Sequence, residues 1–261
     1  MINTVNVKNV IIGEGIPKIC VPIVGITREA ILKQGEQILS LDVDLVEWRV
    51  DFFQNVKERN KVFSIAKELR TLLPSLPILF TFRRKEEGGE QALSLKDYFT
   101  LNKEAALSGL VDLIDIELFS IKDNDQFQLL EHTIHNTGTK IVMSNHDFDK
   151  TVSKQVIIQR LCQMESLGCD ISKIALMPNN SQDVLTLLDA TNEMLEHHAT
   201  RPIITMSMGK LGMISRLSGE TFGSSVTFAS AQQASAPGQV PVIQLKEILE
   251  LLHINKKESD F

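Results

Sequence analysis

The residues of this chain best suited to carbonyl chemistry are a lysine that opens a short apolar run and a histidine that closes another. Lys173 begins the stretch Lys-Ile-Ala-Leu-Met-Pro. A lysine at a strand edge usually lays its stem on apolar surface and keeps its charge in water. Enclosed in an apolar barrel instead, more of its amine is neutral and able to attack a carbonyl carbon, which is the route to an imine. His146 follows the apolar run 140–144. An imidazole suits removal of a proton beside an iminium, and a base so placed contributes about 10²–10⁴ in rate. His132, His135, His197, His198 and His253 fall in helical or helix-end stretches and read as surface residues.

Charged residues gather around these two. Glu47, Arg49 and Asp51 sit at the end of one apolar run, Arg83 ends the next, Glu117 lies in the third, and Asp147 adjoins His146. Any one of them alone reads as a solvated loop charge. Four consecutive strands delivering ionisable groups to one rim point to a site. Gly209-Lys210-Leu211-Gly212 reads as a phosphate-holding loop or a plain turn, and Arg216 offers a fork for a carboxylate or phosphate.

Such residues need a frame. Apolar, β-rich runs recur at 18–25, 44–51, 77–83, 113–118, 140–144, 173–177, 202–208 and 225–229. Their starts are about 23 to 36 residues apart, the length of a strand plus a crossover helix. The intervals carry helical spacing: Val152, Val156, Ile157, Leu161, Met164 and Leu167 after Asp149 as N-cap, then Val184, Leu187, Leu188, Thr191 and Leu195 after Asn180. Leu245, Ile248, Leu249 and Leu252 form a last stripe, and 209–224 is rich in glycine and serine. Eight strands apolar on both faces, alternating with helices, predict an α/β (β/α)8 TIM barrel, with the open doubly wound sheet as the structural alternative. Val5, Val7, Val10 and Ile12 before Gly13 predict an N-terminal β-hairpin closing the bottom. No linker or low-complexity stretch interrupts the pattern, so one catalytic domain is expected over 1–261. The stretch 234–239 after the last strand has the composition of a lid or a connection.

The chain has 261 residues, 43% of them apolar and 23% charged, with a net charge of −6. That balance argues against binding nucleic acid or an anionic membrane, so an anionic substrate would need a local basic pocket. The start lacks a signal-peptide core and no run is long enough to span a membrane. Cys20, Cys162 and Cys169 are odd in number and set in apolar surroundings, which predicts reduced thiols and a cytoplasmic setting.

Several segments together resemble the type I 3-dehydroquinate dehydratases, the Schiff-base enzymes of the shikimate pathway. They are Glu47-Trp48-Arg49-Val50-Asp51, Phe80-Thr81-Phe82-Arg83 with Glu87-Gly88-Gly89-Glu90, Asp115-Ile116-Glu117-Leu118 and Ser144-Asn145-His146-Asp147-Phe148. Further on come Asp170-Ile171-Ser172-Lys173-Ile174-Ala175, Met206-Ser207-Met208-Gly209, Ser215-Arg216 and Ala234-Ser235-Ala236-Pro237-Gly238-Gln239. These occur in family order over nearly the whole chain, and the combination is far more specific than any piece. One departure is Pro22, near which some members carry serine.

The resemblance implies a lyase that dehydrates 3-dehydroquinate to 3-dehydroshikimate, in aromatic amino acid biosynthesis, without cofactor or metal. By that resemblance Lys173 forms the imine, His146 moves protons, and Glu87 orients His146, with neighbouring Glu86 the alternative. Glu47, Arg49 and Arg83 would hold the ring hydroxyls. Arg216, Ser235 and Gln239 would grip the carboxylate, and Met206 and Phe228 would line the pocket. The resemblance also implies a homodimer.

Rival readings of the same residues remain. A class I aldolase or transaldolase shares barrel and imine lysine but cleaves carbon–carbon bonds and usually holds a phosphate. An isomerase-type barrel would use Glu47, Glu117 and His146 as metal ligands. A barrel that only binds an organic anion would show no turnover.

Overall fold

The computed structural model describes residues 2–231 and 238–253. Two short strands, β1 (Val5–Val7) and β2 (Val10–Ile12), pair antiparallel as the opening hairpin. Then come β3 (Lys18–Ile23), β4 (Leu45–Arg49), β5 (Ile78–Thr81), β6 (Leu113–Glu117), β7 (Lys140–Asp147), β8 (Ile171–Leu176), β9 (Ile203–Ser207) and β10 (Val226–Ser230), parallel and hydrogen-bonded in chain order from β3 to β9. β10 pairs with β3, so the order returns to its start.

The seam between β9 and β10 closes the ring. A parallel bridge joins Ile203 to Ser224, and the Ser225 N–H donates to the Ile203 carbonyl at 2.8 Å. Further along that edge of β10, Ala229 and Ser230 pair instead with a two-residue strand, β11 (Val240–Pro241). The sheet is a closed barrel, and the open doubly wound alternative is excluded.

Helices fill the crossovers, among them Arg28–Ile38, Arg59–Leu72, Leu95–Leu107, Asn124–His135, Lys154–Ser166 and Ser181–Glu193. Side-chain oxygens cap their free N-terminal amides: Thr27 accepts from the Ala30 N–H, Ser94 from Asp97 and Asn180 from Asp183. One expectation shifts here. The helix expected to start after Asp149 has Ser153 as its N-cap, because the Asp147 carboxylate takes the Asp149 and Lys150 N–H groups into a turn. The stretch 209–224 folds into two short helices, Met213–Leu217 and Gly219–Phe222.

Alternation along the strands sorts the core into two bodies. Outward residues such as Ile19, Val46, Trp48, Phe80, Ile114 and Ile174 pack under the helices, with Trp48 edge-on to Phe80 at 5.6 Å between centroids. Inward residues Cys20, Leu45, Leu79, Leu113, Val142, Ile171, Ile204 and Val226 form a second cluster, joined by Val5, Val7, Val10 and Ile12 of the hairpin. The hairpin thus stoppers the N-terminal end of the barrel, each of these four buried side chains contributing about 1.5–3 kcal/mol by burial. Beyond this apolar floor the inward positions of β4 to β8 turn polar, whereas β9 and β10 place Met206 and Phe228 there.

Candidate active site

Two residues past the floor on each strand, the inward positions are Glu47 on β4, Thr81 on β5, Asp115 on β6, Ser144 on β7 and Lys173 on β8. Lys173 is the third residue of β8, which starts at Ile171. The run expected to open at Lys173 therefore begins two residues earlier, and the lysine springs from mid-strand. Its side chain is 4% exposed, with Nζ 3.5 Å from Glu47 Oε1, 3.8 Å from Asp115 Oδ2 and 4.3 Å from the Phe228 ring centroid. The Lys173 nitrogen stays within the barrel, between two carboxylates and an aromatic face.

Arg83 ties the polar layer together. It lies two residues beyond the end of β5, not within the strand as the run 77–83 suggested. Its Nη2 contacts Asp115 Oδ1 at 2.9 Å, and its Nη1 donates to Glu117 Oε1 at 3.0 Å and Ser144 Oγ at 2.9 Å. The Ser144 hydroxyl in turn donates to Asp115 Oδ1 at 2.7 Å. Burial pushes the Asp115 carboxyl up, but the charges of Arg83 and Lys173 outweigh it and hold the group below its ordinary range. Arg49 forms a fork with Asp51, at 2.8 and 2.9 Å, and stacks on Phe52.

His146 is the seventh residue of β7, which runs to Asp147 and so extends past the apolar run 140–144. Its Nδ1 lies 3.0 Å from Glu87 Oε2, and that oxygen accepts the backbone N–H of His146 at 2.8 Å. Asn145 Nδ2 donates to Glu87 Oε1 at 3.3 Å, while Arg160 Nη1 holds Asn145 Oδ1 at 2.8 Å. Glu86, its neighbour in the chain, is 67% exposed and pairs with Arg84, so Glu87 is the acid beside the histidine. Burial, together with the charges of Arg83, Lys173 and Arg49, pushes the imidazole well below its usual range and leaves the ring neutral. Burial and the nearby Glu117 raise the Glu87 carboxyl to about 8, against the pull of Arg83.

Glycine sets the turn that delivers Glu87. At Gly89 a Cβ would stand 1.8 Å from the Arg83 carbonyl oxygen, where the backbone folds back to donate its N–H to the Arg84 carbonyl at 2.9 Å.

One cavity of about 100 Å³ joins these groups. Its wall includes Lys173, His146 and Glu87 together with Glu47, Arg49, Arg83, Met206, Arg216, Phe228 and Gln239. Arg216 comes from the short helix Met213–Leu217, and burial lowers its guanidinium to about 10. Of the residues singled out in the sequence, Ser235 lies outside the described residues. Alternation also picks out three groups that had no assigned role: Asp115 and Ser144, two positions from Leu113 and Val142, and Thr81, whose hydroxyl donates to Glu47 Oε1 at 3.0 Å. Asn145 points off the inward face and carried no such signal.

Among the described residues, His, Cys, Asp and Glu side chains form no group of three placed to hold a metal ion. Glu117 and Glu47 are occupied with Arg83 and Lys173, and His146 with Glu87. The loop Gly209–Gly212 turns tightly against β9, since a Cβ on Gly212 would meet the Ser207 carbonyl oxygen at 2.2 Å. His135 is not a bare surface residue: it bridges Glu131 at 2.6 Å and Asp170 at 2.8 Å. No helix of the described residues is long and apolar enough to cross a membrane.

The chain matches the family model for type I 3-dehydroquinase over residues 19–256. It is 55% identical over 251 residues to the 3-dehydroquinate dehydratase of Listeria monocytogenes serotype 4a (strain HCC23), covering 96% of this chain and 98% of the relative. To the 3-dehydroquinate dehydratase of Clostridioides difficile (strain 630) it is 50% identical, covering 95% and 97%. The crystal structure of the type I 3-dehydroquinate dehydratase from Clostridium difficile, with covalent modified comenic acid, superposes with a TM-score of 0.93 at 50% identity, over 97% of this chain and 98% of that one.

Proposed function

The chain belongs to the type I 3-dehydroquinase family, and we propose that it dehydrates 3-dehydroquinate to 3-dehydroshikimate through an imine on Lys173. The observation that carries this reading is an enclosed lysine amine and a neutral imidazole on the wall of one cavity. In this reading the Lys173 amine attacks the substrate ketone and the ketone oxygen leaves as water. His146 then takes a proton from the adjacent carbon, and the electron pair moves into the iminium to give an enamine. Return of that pair expels the ring hydroxyl, to which His146 delivers the proton. Water releases the product and restores the amine.

Glu87 accepts the Nδ1 proton and leaves Nε2 as the base. Glu47, Arg49 and Arg83 hold the ring hydroxyls, Arg216 with Gln239 and Ser235 grips the carboxylate, and Met206 and Phe228 form the apolar wall. The iminium formed on the protein's own amine is the electron sink, so the proposed reaction needs no cofactor, and activity should survive chelators. The proposal places the enzyme in the shikimate route to aromatic amino acids, in the cytoplasm, as a homodimer acting as one catalytic domain over 1–261. Sedimentation equilibrium at working concentration tests the dimer.

Borohydride reduction during turnover of 3-dehydroquinate, followed by peptide mapping, tests the chemistry. The expected result is a single adduct on Lys173. An unmodified Lys173 under full turnover rejects the mechanism. Turnover of phosphosugars in place of 3-dehydroquinate would instead favour the aldolase-type reading.

A further inference from the structure

We infer that Asp115 is the counter-ion of the cationic imine on Lys173, placed behind the lysine on the side away from substrate. The inference rests on the imine reading given above. Asp115 is fully buried on β6 and is not part of the cavity wall. Its two oxygens are treated differently. Oδ1 is fixed by the Ser144 hydroxyl at 2.7 Å and by Arg83 Nη2 at 2.9 Å. Oδ2 is buried with no hydrogen-bond partner, and it faces Lys173 Nζ at 3.8 Å. A buried carboxylate oxygen without a donor is costly, and folded proteins rarely leave one without a reason.

The chemistry supplies the reason. When an ammonium and a ketone condense, the nitrogen–carbon bond forms and the ketone oxygen leaves as water with two of the three ammonium protons. The single positive charge reappears on the iminium. In this enclosed site water cannot screen it, so an opposite charge nearby must stabilise it. Glu47 Oε1 is closer to Nζ, at 3.5 Å, but it also accepts the Thr81 hydroxyl and forms part of the cavity wall. Asp115 has no such second duty at Oδ2. When His146 removes the α-proton, the positive charge passes to the imidazole and the enamine nitrogen becomes neutral. Asp115 therefore favours the iminium over both free amine and enamine.

The test is Asp115→Asn, with Asp115→Glu as the charge-retaining control. For each protein, borohydride trapping of the Lys173 adduct with 3-dehydroquinate is measured across pH, beside kcat and KM. Asp115→Asn should keep KM within about threefold yet trap at least about tenfold less adduct at the alkaline edge of the wild-type range. Its alkaline limit of trapping should fall by about one to three pH units, the effect of losing an opposite charge at this range. Asp115→Glu should recover part of both. Trapping by Asp115→Asn equal to wild type at every pH overturns the inference, as does a raised KM with normal trapping per bound enzyme, which would make Asp115 only an anchor for Arg83. Absence of any adduct in the wild type is a different failure, that of the imine itself.

If Asp115→Asn does not fold, the infrared C=N band of the wild-type imine with product is followed in H₂O and D₂O. Deuterium sensitivity should persist about two pH units beyond the point where a free ketimine in water loses its proton. Loss at the same pH as the free ketimine overturns the inference.

Discussion

Glu87 Oε2 serves His146 twice, accepting its backbone N–H at 2.8 Å and lying 3.0 Å from its ring Nδ1. One oxygen thus fixes the main chain and, when ionised, the tautomer of the histidine. A carboxylate there draws the ring proton to Nδ1 and leaves Nε2 bare, whereas a protonated carboxyl does not.

Activity should therefore follow the ionisation of Glu87. Its carboxyl stands raised to about 8, so it is protonated below that pH and ionised above it, while His146, pushed well down, is neutral throughout. The sign is that kcat/KM rises with pH up to about 8 and then levels, because kcat/KM reports ionisations of the free enzyme. Glu87→Gln should remove that limb. A profile flat from neutral to alkaline pH in the wild type would refute the link.

His146→Ala should separate imine formation from proton transfer. Turnover should drop about 10²–10⁴-fold, yet borohydride should still mark Lys173. Failure to trap an adduct in this variant would assign His146 to the earlier step.

Arg83 should matter to the fold as much as to the site, because Asp115, Glu117 and Ser144 all depend on it. Arg83→Ala leaves two buried carboxylates without their guanidinium and should cost about 3–5 kcal/mol. For a chain of this size that lowers Tm on the order of 10 °C. Arg83→Lys keeps the charge but not the fork and should fall between. Thermal unfolding of the three proteins decides it.

Gly89→Ala should damage catalysis and spare the barrel. Its Cβ would collide with the Arg83 carbonyl oxygen, so the turn must open and carry Glu87 away from His146. Displacement of about 1 Å can cost on the order of 100-fold in rate. A circular dichroism spectrum like that of the wild type with normal kcat/KM would contradict this.

At the opposite end of the barrel, His135 should give a pH-dependent share of stability. The hydrogen bond to Asp170, then the charges of Asp170 and Glu131, raise its imidazole. A raised base stabilises fully below its unfolded value, near pH ~6.5, and loses that contribution as pH climbs through the folded value. His135→Gln should therefore lower Tm more at pH ~6 than at pH ~9, by an amount worth under about 1 kcal/mol because the ring is partly exposed. An equal loss at both values would leave the ion pair without effect.

Much of this was legible in the residues, for stated physical reasons. Strand–helix alternation gave eight barrel strands because runs such as Val-Glu-Trp-Arg in β4 are buried on both faces. The hairpin followed from alternation of Val5, Val7, Val10 and Ile12. Boundaries were harder. Asp170 and Ser172 masked the true start of β8, because the Asp170 carboxylate accepts the Ile141 N–H and stitches the strand edge. Asp149 looked like a cap, yet Ser153 holds that position, since type alone does not say which acceptor the backbone will use. The pairing of Glu87 over Glu86 needed coordinates, because a 3-10 turn at Lys85–Glu87 decides which of two adjacent acids faces inward. Asp115 needed them most, as its meaning lies in one oxygen that has no donor.

The stoppered floor makes the barrel a cul-de-sac. Reactant, the water it sheds and the finished acid must all use a single doorway at the far rim, so a departing molecule stands in the path of the next arrival.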